Sequence, residues 1–361
     1  MERLTPRAGI HQITPFRPAR LTEEGRPAID LSLSHNALGP SAKAVTAYRQ
    51  MAQQLHHYPD TDHRMLRQAI ARRYDLDHIR ITCSNGSDEM IQLIAQAYAG
   101  PGDEVLFHQY GYRGFQRAVK ASGATPVVAG ERDLVVDVKA LVELAGDRTR
   151  IVFLANPGNP TGSYISNEEV CHLRAELPAH TLLVIDAAYA DYVRRNNYDA
   201  GYGLVDEHDN VLMVRTFSKL HGLAGLRIGW AYGPTSIIET INRIRPPFNV
   251  GLSAQAAAAA AIGDTDHEQA TLVHNDAWLA WLTHELEALG IRVYPSVCNF
   301  LLVRIPPDPA LGVGAVIDHL AGHAILVKSL VEYGLPDCLR ITIGTEDENR
   351  ALVEALAEIL N

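Results

Sequence analysis

Cysteine is scarce: Cys83, Cys171, Cys298 and Cys338 are the four in 361 residues. None stands in a C-x-x-C spacing, which leaves a zinc ribbon or a thioredoxin-like pair without support, and so few thiols suit a reducing compartment. No apolar run approaches the roughly 20 residues of a membrane span. The longest, Ala254 to Ile262, is mostly alanine and reads as a buried helix. Residues 1–16 hold no apolar stretch of signal-peptide length. Dense Lys/Arg runs are missing too. Arg17 to Arg26 is a loosely basic, proline-containing stretch that reads as a solvated arm. A net charge of −10 argues against a nucleic-acid partner. The 16 histidines form no H-E-x-x-H, and no G-x-x-x-x-G-K-[ST] occurs, so a zinc peptidase and a P-loop enzyme are unsupported. The expectation is a cytoplasmic enzyme with no metal, membrane or nucleic acid.

The apolar fraction of 47% and the length allow a large core, in two domains or one big α/β unit. Residues 1–40 are irregular, with Pro6, Pro15, Pro18, Pro27 and Pro40, and read as an arm packing on the small domain or a partner subunit. Across 41–245 helical and strand signals alternate. Ala42 to Leu55, Arg64 to Arg73 and Tyr112 to Ala121 have helical periodicity. Arg80 to Cys83, Glu104 to His108, Arg150 to Ala155, Thr181 to Ile185 and Val211 to Arg215 read as strands. The last three are β-branched apolar runs without strict alternation, the pattern of strands buried on both faces. Alternation of this kind predicts βαβ units in an α/β domain with a mostly parallel central sheet. From 246 to 361 the order changes to a smaller α+β domain: a long helix with Trp278 and Trp281, strands at Arg292 to Tyr294, Asn299 to Ile305, Ile325 to Lys328 and Leu339 to Ile343, and a terminal helix Glu346 to Leu360.

In open parallel sheets ligands bind beyond the carboxyl ends of the strands. Four strands deliver polar groups there: Asn85-Gly86-Ser87-Asp88, Asn156 to Gly162, Asp186 to Tyr189, and Thr216-Phe217-Ser218-Lys219 with Arg227 following. Any one of these alone is equally a turn or a helix cap. Together they suit pyridoxal phosphate. Gly86-Ser87 at a helix start offers N–H groups to a phosphate, and Ser218 and the Arg227 fork complete the cup. Asp186 suits a protonated pyridine nitrogen, which makes the ring an electron sink. Asn159 and Tyr189 suit its phenolic oxygen. Lys219 suits the imine and the proton transfer, provided burial or nearby positive charge lowers its pKa. His35 and His221 read as structural, because Lys219 already moves the proton.

These segments resemble the fold-type I pyridoxal-phosphate aminotransferases, and more narrowly the histidinol-phosphate aminotransferases. The similarity extends through Tyr58-Pro-Asp60, Gly102-Asp-Glu-Val105, Pro247-Phe-Asn-Val250, Asn299-Phe-Leu-Leu302 and Leu339-Arg340-Ile-Thr-Ile-Gly344, nearly the whole chain in order. The resemblance implies that Tyr112 stacks on the cofactor ring, and that Gly86, Ser87, Thr216, Ser218 and Arg227 surround its phosphate while Asp88 orders that loop. It implies that Tyr58 reaches the neighbouring subunit's cofactor, hence a homodimer. Arg340 would grip the anionic end of both substrates, with Asn36 and Lys328 also toward substrate. Transfer of the amino group from L-histidinol phosphate to 2-oxoglutarate is the implied reaction.

Three departures cluster where substrate would be read. Ser34-His35-Asn36-Ala37 replaces Asn-Glu-Asn-Pro, Phe16 replaces a tyrosine, and Lys328 replaces an arginine and loses its fork. They keep alternatives open: an aromatic amino acid aminotransferase, or a decarboxylase of a phosphorylated amino acid. A cofactor-sensing regulator is disfavoured, because no helix-turn-helix precedes the enzyme-like body.

Overall fold

A computed structural model of the chain describes residues 4–7, 9–15, 29–306 and 312–360. Phe16 and the stretch from Arg17 to Arg26 lie outside the described residues. The central sheet has seven strands in the order Ile81–Ser84, Gly229–Tyr232, Val211–Thr216, Leu182–Asp186, Thr149–Ala155, Glu104–His108 and Thr125–Ala129. From Val211–Thr216 to Thr125–Ala129 every pairing is parallel, whereas Gly229–Tyr232 runs antiparallel to both neighbours. Leu182–Asp186 and Val211–Thr216 are buried along their whole length, as strands covered on both faces must be.

Two of these strands have no clear sequence signal. Thr125–Ala129 contains Pro126, which is tolerated because the strand lies at the sheet edge. Gly229–Tyr232 is only Gly-Trp-Ala-Tyr, too short for a period. Its first residue has to be small. A Cβ on Gly229 would stand 2.7 Å from the Ser87 nitrogen and 2.9 Å from the Arg215 carbonyl oxygen. The glycine therefore lets the start of helix Ser87–Tyr98 approach the sheet.

Helix Ser87–Tyr98 buries Met90, Ile91, Leu93 and Ile94 against one sheet face, beside Phe115 stacked on Phe153 at 4.8 Å. On the other face the alanine-rich helix Leu252–Ala261 packs on Ala42–Gln50 and Arg64–Tyr74. A smaller antiparallel sheet follows in the order Arg292–Tyr294, Phe300–Arg304, Cys338–Thr342, Lys328–Ser329, covered by helices Thr265–Ala288, Val313–Gly322 and Glu346–Leu360. The expected strand Ile325 to Lys328 divides at Val327. Ile325–Leu326 pairs in parallel with Ile29–Asp30, while Lys328 sits opposite Arg340. The N-terminal segment is thereby tied to the smaller layer. Ion pairs Arg73–Glu268 (2.8 Å) and Lys43–Asp264 (2.9 Å) fasten helix Thr265–Ala288 to the larger one.

Candidate active site

A cavity of about 520 Å³ lies at the carboxyl edge of the central sheet. Ser87, Asp88, Tyr112, Asn159, Asp186, Tyr189, Thr216, Ser218, Lys219 and Arg227 all line it. The parallel strands bring most of these residues there by ending at one edge. Arg227 arrives differently: it precedes the antiparallel strand, whose start lies at that same edge, with Gly229 opposite both Ser84 and Thr216.

One end of the cavity is an anion cup. Helix Ser87–Tyr98 begins there, and its first N–H groups have no partner within the helix. Gly86 has φ +87°, and a Cβ on it would meet Arg227 Nη2 at 2.6 Å. Arg227 Nη1 donates to Ser218 Oγ (3.3 Å), which also accepts from Thr216 Oγ1 (3.0 Å). Asp88 steadies the cup from the side. Its Oδ1 accepts from the Tyr112 hydroxyl (2.8 Å) and from Arg117 (3.1 Å), and its Oδ2 lies 3.8 Å from Arg227.

At the centre stand an amine and an acid. Burial, reinforced by Arg340 and Arg227, lowers the Lys219 pKa to about 7 from 10.5. Lys219 Nζ donates to the carbonyls of Leu33 (3.2 Å) and Ser34 (3.4 Å) and lies over the Tyr189 ring. Burial raises the Asp186 carboxyl to about 7, against the Ala188 N–H it accepts at 3.2 Å. The Tyr189 hydroxyl is buried and makes no hydrogen bond of ordinary geometry among the described residues.

Arg340 reaches this group from the smaller sheet. It is buried, donates to Asn159 Oδ1 (2.5 Å) and the Ser32 carbonyl (2.6 Å), and lies over the Phe300 ring; its Nε has no partner among the described residues. Lys328 is its cross-strand neighbour, a position that puts two cationic side chains on one sheet face. Asn36 is not brought to the cavity wall. Its amide is occupied by the Leu220 carbonyl (2.6 Å) and the Leu38 N–H (2.8 Å), which fixes the turn instead. Tyr58 also lies away from this chain's cavity, 81% exposed and stacked on Phe248 at 4.5 Å.

Part of the environment is set by contacts that the sequence does not announce. Leu33 and His35 line the cavity, and His35 is exposed rather than packed as a structural histidine. His221 is buried beside Phe217, with its pKa lowered to about 4 by burial. Beneath Ala155 a buried pair, His108 and Glu131, meets at 2.6 Å, and His108 Nε2 accepts the Ala155 N–H (3.2 Å). Asn156 holds the loop before Asn159 by exchanging hydrogen bonds with Ile165 (3.0 and 3.1 Å). The His108 partners are 23 and 47 positions away, and no local pattern announces them.

The fold and this arrangement define an aminotransferase. The sequence profile described as "Aminotransferase class I and II" matches residues 26–356, and the chain belongs to that family. Within it, full-length relatives include histidinol-phosphate aminotransferases. That of Paramagnetospirillum magneticum is 50% identical, over 98% of both chains. One from Rhodopseudomonas palustris is 46% identical over 100% of this chain and 99% of its own. The crystal structure of histidinol-phosphate aminotransferase from Sinorhizobium meliloti in complex with pyridoxal-5'-phosphate superposes with a TM-score of 0.90 at 29% identity, covering 100% of this chain and 98% of that one.

Proposed function

We propose that the chain binds pyridoxal phosphate and transfers the amino group of L-histidinol phosphate to 2-oxoglutarate, giving imidazole acetol phosphate and glutamate. The observation that carries this reading is one cavity holding a low-pKa lysine, a buried acid and a helix-start anion cup together. The residues fit the cofactor. Its phosphate suits the cup of Gly86, Ser87, Ser218 and Arg227, with Thr216 behind. The buried Tyr189 hydroxyl, without a hydrogen bond of ordinary geometry among the described residues, suits the phenolic oxygen, as does Asn159, whose Oδ1 is already held by Arg340. Tyr112 walls the ring space, and its own hydroxyl is committed to Asp88. A volume of about 520 Å³ accommodates a cofactor with a small substrate.

When bound, the cofactor supplies an aldehyde for the donor nitrogen and a ring that withdraws electrons. The chain supplies the rest. Asp186 offers a carboxylate to the pyridine nitrogen and stabilises its positive charge. Lys219 Nζ would hold the cofactor through its aldehyde and, as the free amine, would accept the proton from the donor carbon. A pKa lowered to about 7 lets it act near neutral pH. Arg340 and Lys328 hold the anionic end of the substrate, a phosphate in one half-reaction and a carboxylate in the other. Ping-pong kinetics follow from one site serving both.

The test is the absorbance of the cofactor-loaded protein on adding single amines. Rapid, saturable change with histidinol phosphate, reversed by 2-oxoglutarate, is the expected result. Change with phenylalanine or tyrosine but not with histidinol phosphate would move the substrate assignment to aromatic amino acids.

The assembly proposed is a homodimer. Tyr58 (81% exposed) stacks on Phe248 (39%) at 4.5 Å, an exposed aromatic pair of the kind that partners cover. Light scattering should return twice the chain mass of 39.6 kDa, and a monomer would sink the idea. The proposed compartment is the cytoplasm, which suits four unpaired cysteines. Among the described residues no helix is long and apolar enough to cross a membrane.

A further inference from the structure

Residues 32–36 cross the cavity as a strap whose backbone is fixed by distant groups. The Ser32 carbonyl accepts from Arg340 (2.6 Å), and those of Leu33 and Ser34 accept from Lys219 (3.2 and 3.4 Å). Asn299 Nδ2 donates to the carbonyls of Ser34 (3.2 Å) and His35 (3.0 Å), and the Ser34 N–H donates to Thr342 Oγ1 (2.9 Å). Ser34 has φ +56°, a left-handed conformation uncommon for a residue with a side chain. Such strain persists only where surroundings over-determine it, and it clusters at ligand clamps.

The strap therefore fixes the backbone on either side of His35 next to the carbonyls that hold Lys219 Nζ, and His35 itself is exposed and lines the cavity. Among the described residues no other imidazole lines this cavity. The cations Arg340 and Lys328 provide for the anionic end of a substrate. They offer nothing specific to an uncharged polar ring, whereas an imidazole offers one donor or acceptor nitrogen on each side.

We propose that His35 is a specificity-determining residue that hydrogen-bonds the ring of the amino donor, distinguishing an imidazole from an apolar ring. This rests on the substrate reading above. The donor ring is present in one half-reaction and absent from the other, so His35 serves the first and not the second.

The experiment follows each half-reaction separately by cofactor absorbance, in the cofactor-loaded dimer or monomer as purified. His35→Ala should lower kcat/KM for histidinol phosphate about tenfold, the loss of one hydrogen bond, chiefly through KM. Glutamate should change by less than about twofold on the same scale. His35→Asn, which keeps a donor and an acceptor, should recover part of the loss. Equal falls for both amines would mean a general disturbance of the site and would overturn the proposal, as would no fall for either. If the unaltered protein leaves histidinol phosphate unconverted, the substrate reading fails instead. His35 is then judged on histidine against phenylalanine. A ratio about tenfold lower in His35→Ala supports it, and an unchanged ratio overturns it.

Discussion

Lys219→Ala is expected to lower turnover by about 10⁴-fold, the upper range for removing a positioned general base. The substitution also removes the amine that bonds the cofactor, so the visible absorbance of the lysine-bound form should vanish even where cofactor still occupies the anion cup. The two effects have one origin. Lys219 is the cavity's amine, and burial with Arg340 and Arg227 lowers its pKa to about 7. The sign is set by desolvation, which penalises the ammonium form. In cofactor-free protein the neutral amine therefore predominates above about pH 7, not only above 10.5. The rate of covalent cofactor uptake should rise about tenfold per pH unit below that point and level off above it. A variant with normal turnover, or an uptake profile still climbing at pH 9–10, would remove Lys219 from the centre of the chemistry.

Asp186→Asn should cost about 10³-fold in kcat while leaving the cofactor bound, a loss at the upper end for one electrostatic stabiliser. Asparagine preserves the shape and can still accept the Ala188 N–H that Asp186 accepts at 3.2 Å. What it loses is the capacity for negative charge. In the cavity by itself Asp186 is held neutral more readily than usual, because burial raises its pKa to about 7. A cationic ring nitrogen beside it opposes that effect and draws the pKa down, so cofactor binding and ionisation of Asp186 reinforce each other. Turnover within tenfold of the unaltered protein would show that Asp186 is only a capping group at the strand end. Retained cofactor absorbance in the variant distinguishes lost charge from lost binding.

Much of the larger layer is legible in the sequence because its signals are local. Glu104–His108 falls where the pattern places it, as does Glu346–Leu360 in the smaller layer. Leu182–Asp186 and Val211–Thr216 differ from the reading by one residue at their ends. A run of β-branched residues needs no knowledge of its partner to read as a buried strand. The short Gly229–Tyr232 strand is not legible this way, since its conformation comes from pairing between Val211–Thr216 before it and the distant Ile81–Ser84. Nor is the division at Val327, where successive residues pair with different sheets.

The candidate site divides in the same manner. The sequence by itself determined the residue types that the chemistry needs and the strand ends that carry them, because each motif is a local turn after a local strand. Only the tertiary structure decided who meets whom. It set Asn36 into a turn rather than the cavity wall, placed Arg340 on Asn159, and turned the carbonyls of Leu33 and Ser34 toward Lys219. Those contacts join residues about 180 positions apart. They depend on how two layers and a strap are packed against one another, and no local propensity encodes that.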